Sequence, residues 1–309
     1  MKKIITILTL VISLFMFTSC YEYDNEQVSL IVPSGAPTFG IAEALNNNQE
    51  QIDYNIVAGA DALQAAFTNA TYDIVIAPVN LGAKFYQSLN NFEYVYYQTI
   101  VGGCFYIVST QEIASFTDLD KQEITVFGAN STPDVITRSL INYYNIDVTI
   151  NYVNDVTEAN ASLVSGKATT IVSAEPSISK FNASGKFHTL SLQEEWKKIS
   201  SEDFNIPQAG VFVKKEKLTN ASVKKVLAEL NSSLALANSN PSQLANSATL
   251  VDETLNKVGV DTLTLAAPRC NFISTKYNKQ EVEFYFNKLI ELGLGKTIGD
   301  SLPDEDFYA

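Results

Sequence analysis

The sequence is short of the residues on which most catalytic and metal sites depend. Its 309 residues include one histidine, His188, three cysteines and one tryptophan. A single histidine excludes a histidine cluster for a metal ion, and no Ser-His-Asp set can be identified around it. The sequence also has no glycine-rich phosphate loop, no G-x-S-x-G elbow and no C-x-x-C pair. We therefore expect a binding protein and not an enzyme, without a cofactor or a metal.

Basic side chains are scarce as well. The chain has 21 Lys and Arg against 34 Asp and Glu, a formal net charge of −13. This charge repels phosphate backbones, so nucleic acid is not an expected partner. The two arginines are Arg138 and Arg269, and Arg138 lies more than one turn inside a predicted helix. An arginine clamp on a sulfonate or phosphate is therefore not expected, and a bound anion would depend on helix N-termini.

The first twenty residues carry an export pattern. Lys2 and Lys3 precede an apolar run over residues 4–17, which is too short to span a membrane, and Thr18, Ser19 and Cys20 follow it. The pattern predicts a lipoprotein signal over residues 1–19 and a lipid on Cys20, with simple secretion as the alternative. Residues 20–27 would then be a lipidated tether. We expect an extracytoplasmic protein that is anchored by lipid to the outer face of the cell membrane.

The remaining two cysteines, Cys104 and Cys270, are far apart in the sequence and have apolar or turn-forming neighbours. Buried cysteines commonly behave as small apolar side chains. We expect two buried free thiols, with a disulfide between them as the alternative.

Apolar strands alternate with helices along most of the chain. Residues 28–32, 54–58 and 72–77 are almost continuously apolar, and helices are predicted over residues 37–46 and 61–69. Such strands are typical of a sheet that helices cover on both faces. The same alternation restarts after a strand at 104–109, and a strand at 208–214 leads into a mostly helical segment. The pattern predicts two doubly wound α/β lobes.

Polar and small residues follow the predicted strands. In open α/β sheets ligands bind beyond the carboxyl ends of the strands, where helices begin. Any one of these loops could simply turn or cap the chain, and Glu175 could be either a ligand-binding carboxylate or a solvated acid at a helix entry. We expect Ser131 or Thr132 to cap the helix that follows them. Taken together, the candidate ligand-binding residues are Ser34, Gly35, Ala36, Thr38, Asp61, Pro78, Asn80, Asn130, Ser131, Thr132 and Glu175.

Several stretches resemble a known family. They are Ala77-Pro78-Val79-Asn80-Leu81, Ala174-Glu175-Pro176, Trp196, Ala267-Pro268-Arg269-Cys270-Asn271 and the tail at 298–308. In order and spacing they resemble the substrate-binding lipoproteins of ABC importers, in the nitrate, sulfonate, taurine and thiamine-precursor group. The resemblance implies two α/β lobes joined by two crossing strands, with the ligand cleft between them. Residues 28–105 plus 206–309 would form lobe I, and residues 106–205 lobe II.

The same resemblance implies a function. The protein would be a monomer that captures a small organic solute, such as a sulfonate, a nitrate-like anion or a heterocyclic vitamin precursor, and delivers it to an ABC transporter permease. One alternative is an enzyme on the same fold that makes a pyrimidine or menaquinone precursor. A ligand-sensing surface lipoprotein is the other.

Overall fold

A computed structural model describes residues 26–200 and 202–309, except for the side chains of residues 182 and 183. The predicted signal, Cys20 and most of the predicted tether lie outside the described residues. In the part of the chain that is described, no helix has the length and apolar content needed to cross a membrane.

The chain forms ten strands and twelve α-helices within the described residues. The first part contains β1 (Val28–Pro33), α1 (Ala36–Asn47), β2 (Ile52–Val57), α2 (Asp61–Asn69), β3 (Ile74–Pro78), α3 (Val79–Ser88) and β4 (Tyr94–Val101). The middle contains β5 (Phe105–Ser109), β6 (Glu123–Phe127), α4 (Thr132–Tyr144), β7 (Thr149–Val153), α5 (Val156–Val164), β8 (Thr170–Ala174), α6 (Ile178–Ser184), β9 (His188–Ser191) and α7 (Leu192–Ile199). The last part contains β10 (Ala209–Lys214), α8 (Ala221–Ser239), α9 (Pro241–Val251), α10 (Glu253–Val258), α11 (Val260–Ala266) and α12 (Lys279–Glu291).

The strands form two five-stranded sheets. The first sheet has the order β2-β1-β3-β10-β4 and the second has the order β7-β6-β8-β5-β9. The predicted pair of α/β halves is therefore confirmed, but the sheets are mixed. Strand β10 runs antiparallel to β3 and β4, and β5 runs antiparallel to β8 and β9. Both strands follow a crossing from the other sheet, so no βαβ connection forces them to be parallel.

Both faces of the first sheet are buried. Val75 and Phe212 belong to an apolar cluster on one face, and Ile74, Ile76 and Val211 belong to a cluster on the other. Alternating residues of a strand point to opposite faces, so a strand covered on both sides must be apolar throughout. This explains the continuous apolar strands in the sequence.

The two sheets are connected by two segments that run side by side. Gly102 and Gly103 lead from β4 into β5, and the segment before β10 returns the chain to the first sheet. The backbone N–H of Ile206 donates to the carbonyl of Gly102 at 3.2 Å. Gly103 has a φ of +97° and a Cβ there would lie 2.7 Å from Gln193 Oε1, so this crossing requires glycine.

Cys104 and Cys270 are buried free thiols, as predicted. Burial raises the pKa of the Cys104 thiol to about 12 and also raises the pKa of Cys270. Both therefore remain protonated at neutral pH.

Candidate functional site

The candidate residues of the first sheet lie along one edge. Strand β1 pairs in parallel with β2 and β3, so the carboxyl ends of these three strands point the same way. The backbone N–H of Ser34 donates to the carbonyl of Val57 at 2.9 Å, which joins the ends of β1 and β2. The loops that carry Ser34 to Thr38, Asp61, and Pro78 to Asn80 begin at this edge.

The side chains at this edge have different uses. Thr38 is fully buried and donates from Oγ1 to the carbonyl of Pro33 at 2.8 Å. The Ser34 hydroxyl donates to Asp252 Oδ2 at 2.6 Å. Asp61 is exposed. Asn80 is half-buried, and no hydrogen bond of its side chain occurs within residues 26–200 and 202–309. Of these four side chains, Asn80 and Asp61 are the ones that can meet a ligand without losing a fold contact.

The start of α1 contributes backbone groups to the same edge. Gly35 has a φ of +98°, and Pro37 stands in the first turn of the helix. Ala36 is buried. The helix has no side-chain cap at its N-terminus. Its first N–H groups can therefore donate to a bound polar group.

The second sheet presents a matching edge. Strand β6 pairs in parallel with β7 and β8, so the loop after β6 and the loop after β8 share one side. The backbone N–H of Gly128 donates to the carbonyl of Val153 at 3.0 Å. This edge carries Asn130, Ser131, Thr132 and Glu175.

A buried carboxylate holds the loop before α4. Asp134 accepts the backbone N–H of Asn130 at 2.8 Å and the hydroxyl of Tyr152 at 2.8 Å. Arg138 donates to the two carboxylate oxygens from Nε and Nη2, each at 3.1 Å. Asn130 has a φ of +64° and is exposed. The network keeps Asn130 in this conformation and neutralises Arg138.

The predicted cap of α4 is wrong. Ser131 stands at the N-cap position, but neither it nor Thr132 caps the helix through its side chain. The Ser131 hydroxyl turns back to the carbonyl of Gly128. Thr132 is buried, and its Oγ1 accepts a hydrogen bond from the Tyr285 hydroxyl at 3.2 Å. The Thr132 hydroxyl, which the local pattern assigned to the cap, therefore bonds to Tyr285, a residue 153 positions away along the chain.

Tyr285 belongs to the part of the molecule that packs on the first sheet. It lies on α12, whose Phe286 packs against Phe307, and Phe307 in turn packs against Phe212 of β10. Trp196 of α7 makes edge contacts with the rings of Phe284 and Tyr285, at centroid distances of 5.2 and 6.3 Å. The Thr132–Tyr285 bond and the Trp196 contacts therefore link the halves.

A second link crosses between the halves at Glu175. This side chain is buried after β8, and its Oε1 accepts a hydrogen bond from Arg269 Nε. Its Oε2 accepts the backbone N–H of Ser179 at 3.1 Å and the Ser179 hydroxyl at 3.0 Å. Burial raises the pKa of Glu175, and the Arg269 ion pair opposes that rise. The alternative of a solvated helix-entry acid is therefore wrong, because water does not reach this carboxylate.

Arg269 was missed as a site residue. It ends the short helical turn Ala267–Arg269, and the following Asn271 accepts the backbone N–H of Gly102 at 2.8 Å through its carbonyl. Its guanidinium lies 4.8 Å from the ring centre of Tyr106, and its side chain is 33% exposed. The scarcity of arginine in the sequence was the available signal, but only the fold shows that this arginine lies where the halves meet.

The site has polar donors and aromatic surface but no metal ligand set. Within residues 26–200 and 202–309, no group of three or more His, Cys, Asp and Glu side chains could hold a metal ion. We call the two carboxyl edges, together with Arg269 and Tyr106 where the halves meet, the inter-sheet groove. Its groups can donate hydrogen bonds to a small molecule and stack against a flat one.

Comparisons with known proteins place the chain by sequence and by fold. A family model described as menaquinone biosynthesis matches residues 38–298. No curated protein sequence matches the chain. The solved structures that match include an ABC transporter protein from Parabacteroides distasonis, with a TM-score of 0.77, 21% identity, and coverage of 92% of this chain and 98% of that one.

Two sulfonate-binding proteins are also similar in structure. The periplasmic aliphatic sulphonate-binding protein SsuA from Escherichia coli has a TM-score of 0.64 at 12% identity and covers 91% of this chain and 90% of its own. The alkanesulfonate-binding protein SsuA from Xanthomonas axonopodis, bound to MOPS, has a TM-score of 0.57 at 12% identity, with coverage of 91% and 96%. At these identities the likeness shows the fold, which is that of type 2 periplasmic binding proteins.

Proposed function

We propose that this chain, which belongs to the menaquinone biosynthesis family, is an extracytoplasmic solute-binding protein that captures a small organic molecule for an ABC transporter permease. The observation that carries the proposal is the pair of polar carboxyl edges, one on each sheet, with hydrogen bonds between the halves at Glu175–Arg269 and at Thr132–Tyr285. Two halves that share two narrow crossings can close on a solute between them. The similar fold of an ABC transporter protein and of two sulfonate-binding proteins supports this proposal.

Cellular location is part of the proposal. A lipid on Cys20 would hold the protein at the outer face of the membrane, where a solute receptor must work. Cys20→Ala in the full chain should move the protein from the detergent phase to the aqueous phase in Triton X-114 partitioning. Retention of the variant in the detergent phase would contradict the lipid anchor.

Trp196 provides the binding assay. It is the chain's one tryptophan, is fully buried, and contacts Phe284 and Tyr285 of the other half. A solute that changes the separation of the halves should shift the Trp196 emission in a saturable way. Solution scattering and calorimetry should give the same midpoint. Trp196→Phe is the control, because it should abolish the optical signal and leave the calorimetric heat. The proposal fails if sulfonates, nitrate, pyrimidines and thiamine precursors all give neither signal.

An enzyme on the same fold is the second candidate, and the description of the matched family model favours it. Such an enzyme would need a titratable group that reaches its substrate. His188 is exposed at the beginning of β9, in the second sheet, and Glu175 is already ion-paired. Product formation from a bound menaquinone or pyrimidine precursor, followed by mass spectrometry, would decide for the enzyme.

A further inference from the structure

The charge of the inter-sheet groove carries information about the solute. The loops at the two carboxyl edges, residues 33–38, 58–61, 78–80, 128–132, 154–155 and 174–177, contain no Lys, Arg or His. They do contain three acids, Asp61, Asp155 and Glu175. An anion that enters between these edges therefore meets no positive side chain from the loops themselves.

The arginine at the junction is already neutralised. Arg269 Nε donates to Glu175, whose second oxygen is held by both the backbone N–H and the hydroxyl of Ser179. These bonds prevent the carboxylate from turning away when a second anion approaches. The chain's other arginine, Arg138, is neutralised in the same manner by the buried Asp134. Neither cation offers net positive charge to a ligand.

An added anion would therefore bring a negative charge that no unpaired cation balances. In a poorly solvated site an unpaired charge is costly, and the partial charge of a helix N-terminus offsets little of that cost. A solute without net charge meets no such penalty. It can use the Asn80 amide, the free N–H groups at the start of α1 and the ring of Tyr106.

We infer that the inter-sheet groove selects an electrically neutral solute, uncharged or zwitterionic, and that the Glu175–Arg269 pair is what rejects anions. This inference rests on the proposed function and narrows it. The inferred class of solute differs from the sulfonates that the SsuA proteins of similar fold bind. It assigns Glu175 as a specificity-determining residue that acts through Arg269.

The test is a gain of anion binding. Glu175→Gln keeps the size of the side chain but leaves Arg269 with its full charge, so the variant should bind ethanesulfonate about tenfold or more tightly than the wild type by calorimetry. Glu195→Gln is the matched control. Glu195 is equally buried and is paired with Lys198 of α7 and Tyr144 of α4, so its loss should leave ethanesulfonate binding unchanged.

If Glu175→Gln does not fold, binding measurements on the wild type still test the inference. Taurine and ethanesulfonate share a sulfonate and differ in the amine that makes taurine zwitterionic. Saturable wild-type binding of ethanesulfonate that weakens as sodium chloride rises would overturn the inference while supporting a solute-binding function. A folded Glu175→Gln variant with no gain would overturn it as well. Failure of every solute class in the Trp196 assay would instead remove the proposed function.

Discussion

The Tyr285–Thr132 hydrogen bond allows the contact between the halves to be measured as a free energy. The Tyr285 hydroxyl is fully buried and donates to Thr132 Oγ1 at 3.2 Å. Burial raises the pKa of Tyr285 to about 12, so the hydroxyl stays protonated and remains the donor at neutral pH. Tyr285→Phe and Thr132→Val each remove one hydroxyl and keep the shape of the side chain.

The magnitude follows from what each variant leaves behind. A single substitution leaves one buried hydroxyl without its partner, which costs about 1–3 kcal/mol. The double substitution leaves neither hydroxyl, so its cost should fall short of the sum of the single costs by about 1 kcal/mol. That difference is the coupling between the halves at this contact. It corresponds to about a fivefold change in an equilibrium constant.

Urea unfolding of the wild type and the three variants is the assay. Far-ultraviolet circular dichroism and Trp196 emission should report coincident transitions, which is the condition for comparing free energies. Tyr144→Phe is the control, because the Tyr144 hydroxyl donates to Glu195 within the second-sheet half at 2.8 Å. Its effect should add to that of Thr132→Val. If Tyr285→Phe and Thr132→Val also add within about 0.3 kcal/mol, the bond does not hold the halves together.

Three further predictions concern packing, pH and the site. In Gly82→Ala the new Cβ would lie 2.1 Å from Phe212 Cζ, so the free energy of unfolding should fall by about 1–3 kcal/mol. An unchanged melting temperature would contradict this packing. Burial raises the pKa of Glu281 despite hydrogen bonds from Asn205. The folded protein therefore favours the protonated carboxyl, and the stability that this provides at low pH is lost as pH rises through the raised pKa. Glu281→Gln should therefore gain stability relative to the wild type as pH rises above the ordinary glutamate pKa of about 4.3, and a relative loss in urea midpoints would refute the sign. Asn80→Ala should weaken solute binding by about two- to tenfold with an unchanged urea midpoint, and equal calorimetric affinity would exclude Asn80 from the site.

Local patterns were sufficient for much of the architecture. Continuous apolar strands occur because both sheet faces are covered. The need for apolar side chains on both faces can be seen in consecutive residues such as 74–77, all of which are buried. Pro133 in the first turn of α4 and the loops after β1 and β3 were recognised for the same reason, since turn and helix-start preferences act over a few positions. The two buried thiols also followed from their neighbours.

Contacts between distant residues decided the chemistry of the groove. Glu175 and Arg269 are 94 positions apart, and Thr132 and Tyr285 are 153 apart. Short-range preferences carry no information about such partners, so the cap expected at Ser131 or Thr132 was wrong, and the two alternatives for Glu175 could not be separated from the sequence. The order of the residues was enough to predict two α/β halves with polar edges, because backbone preferences and burial periodicity are local. Which charges meet between the halves depends on how the folded halves pack, and that packing pairs Glu175 with Arg269.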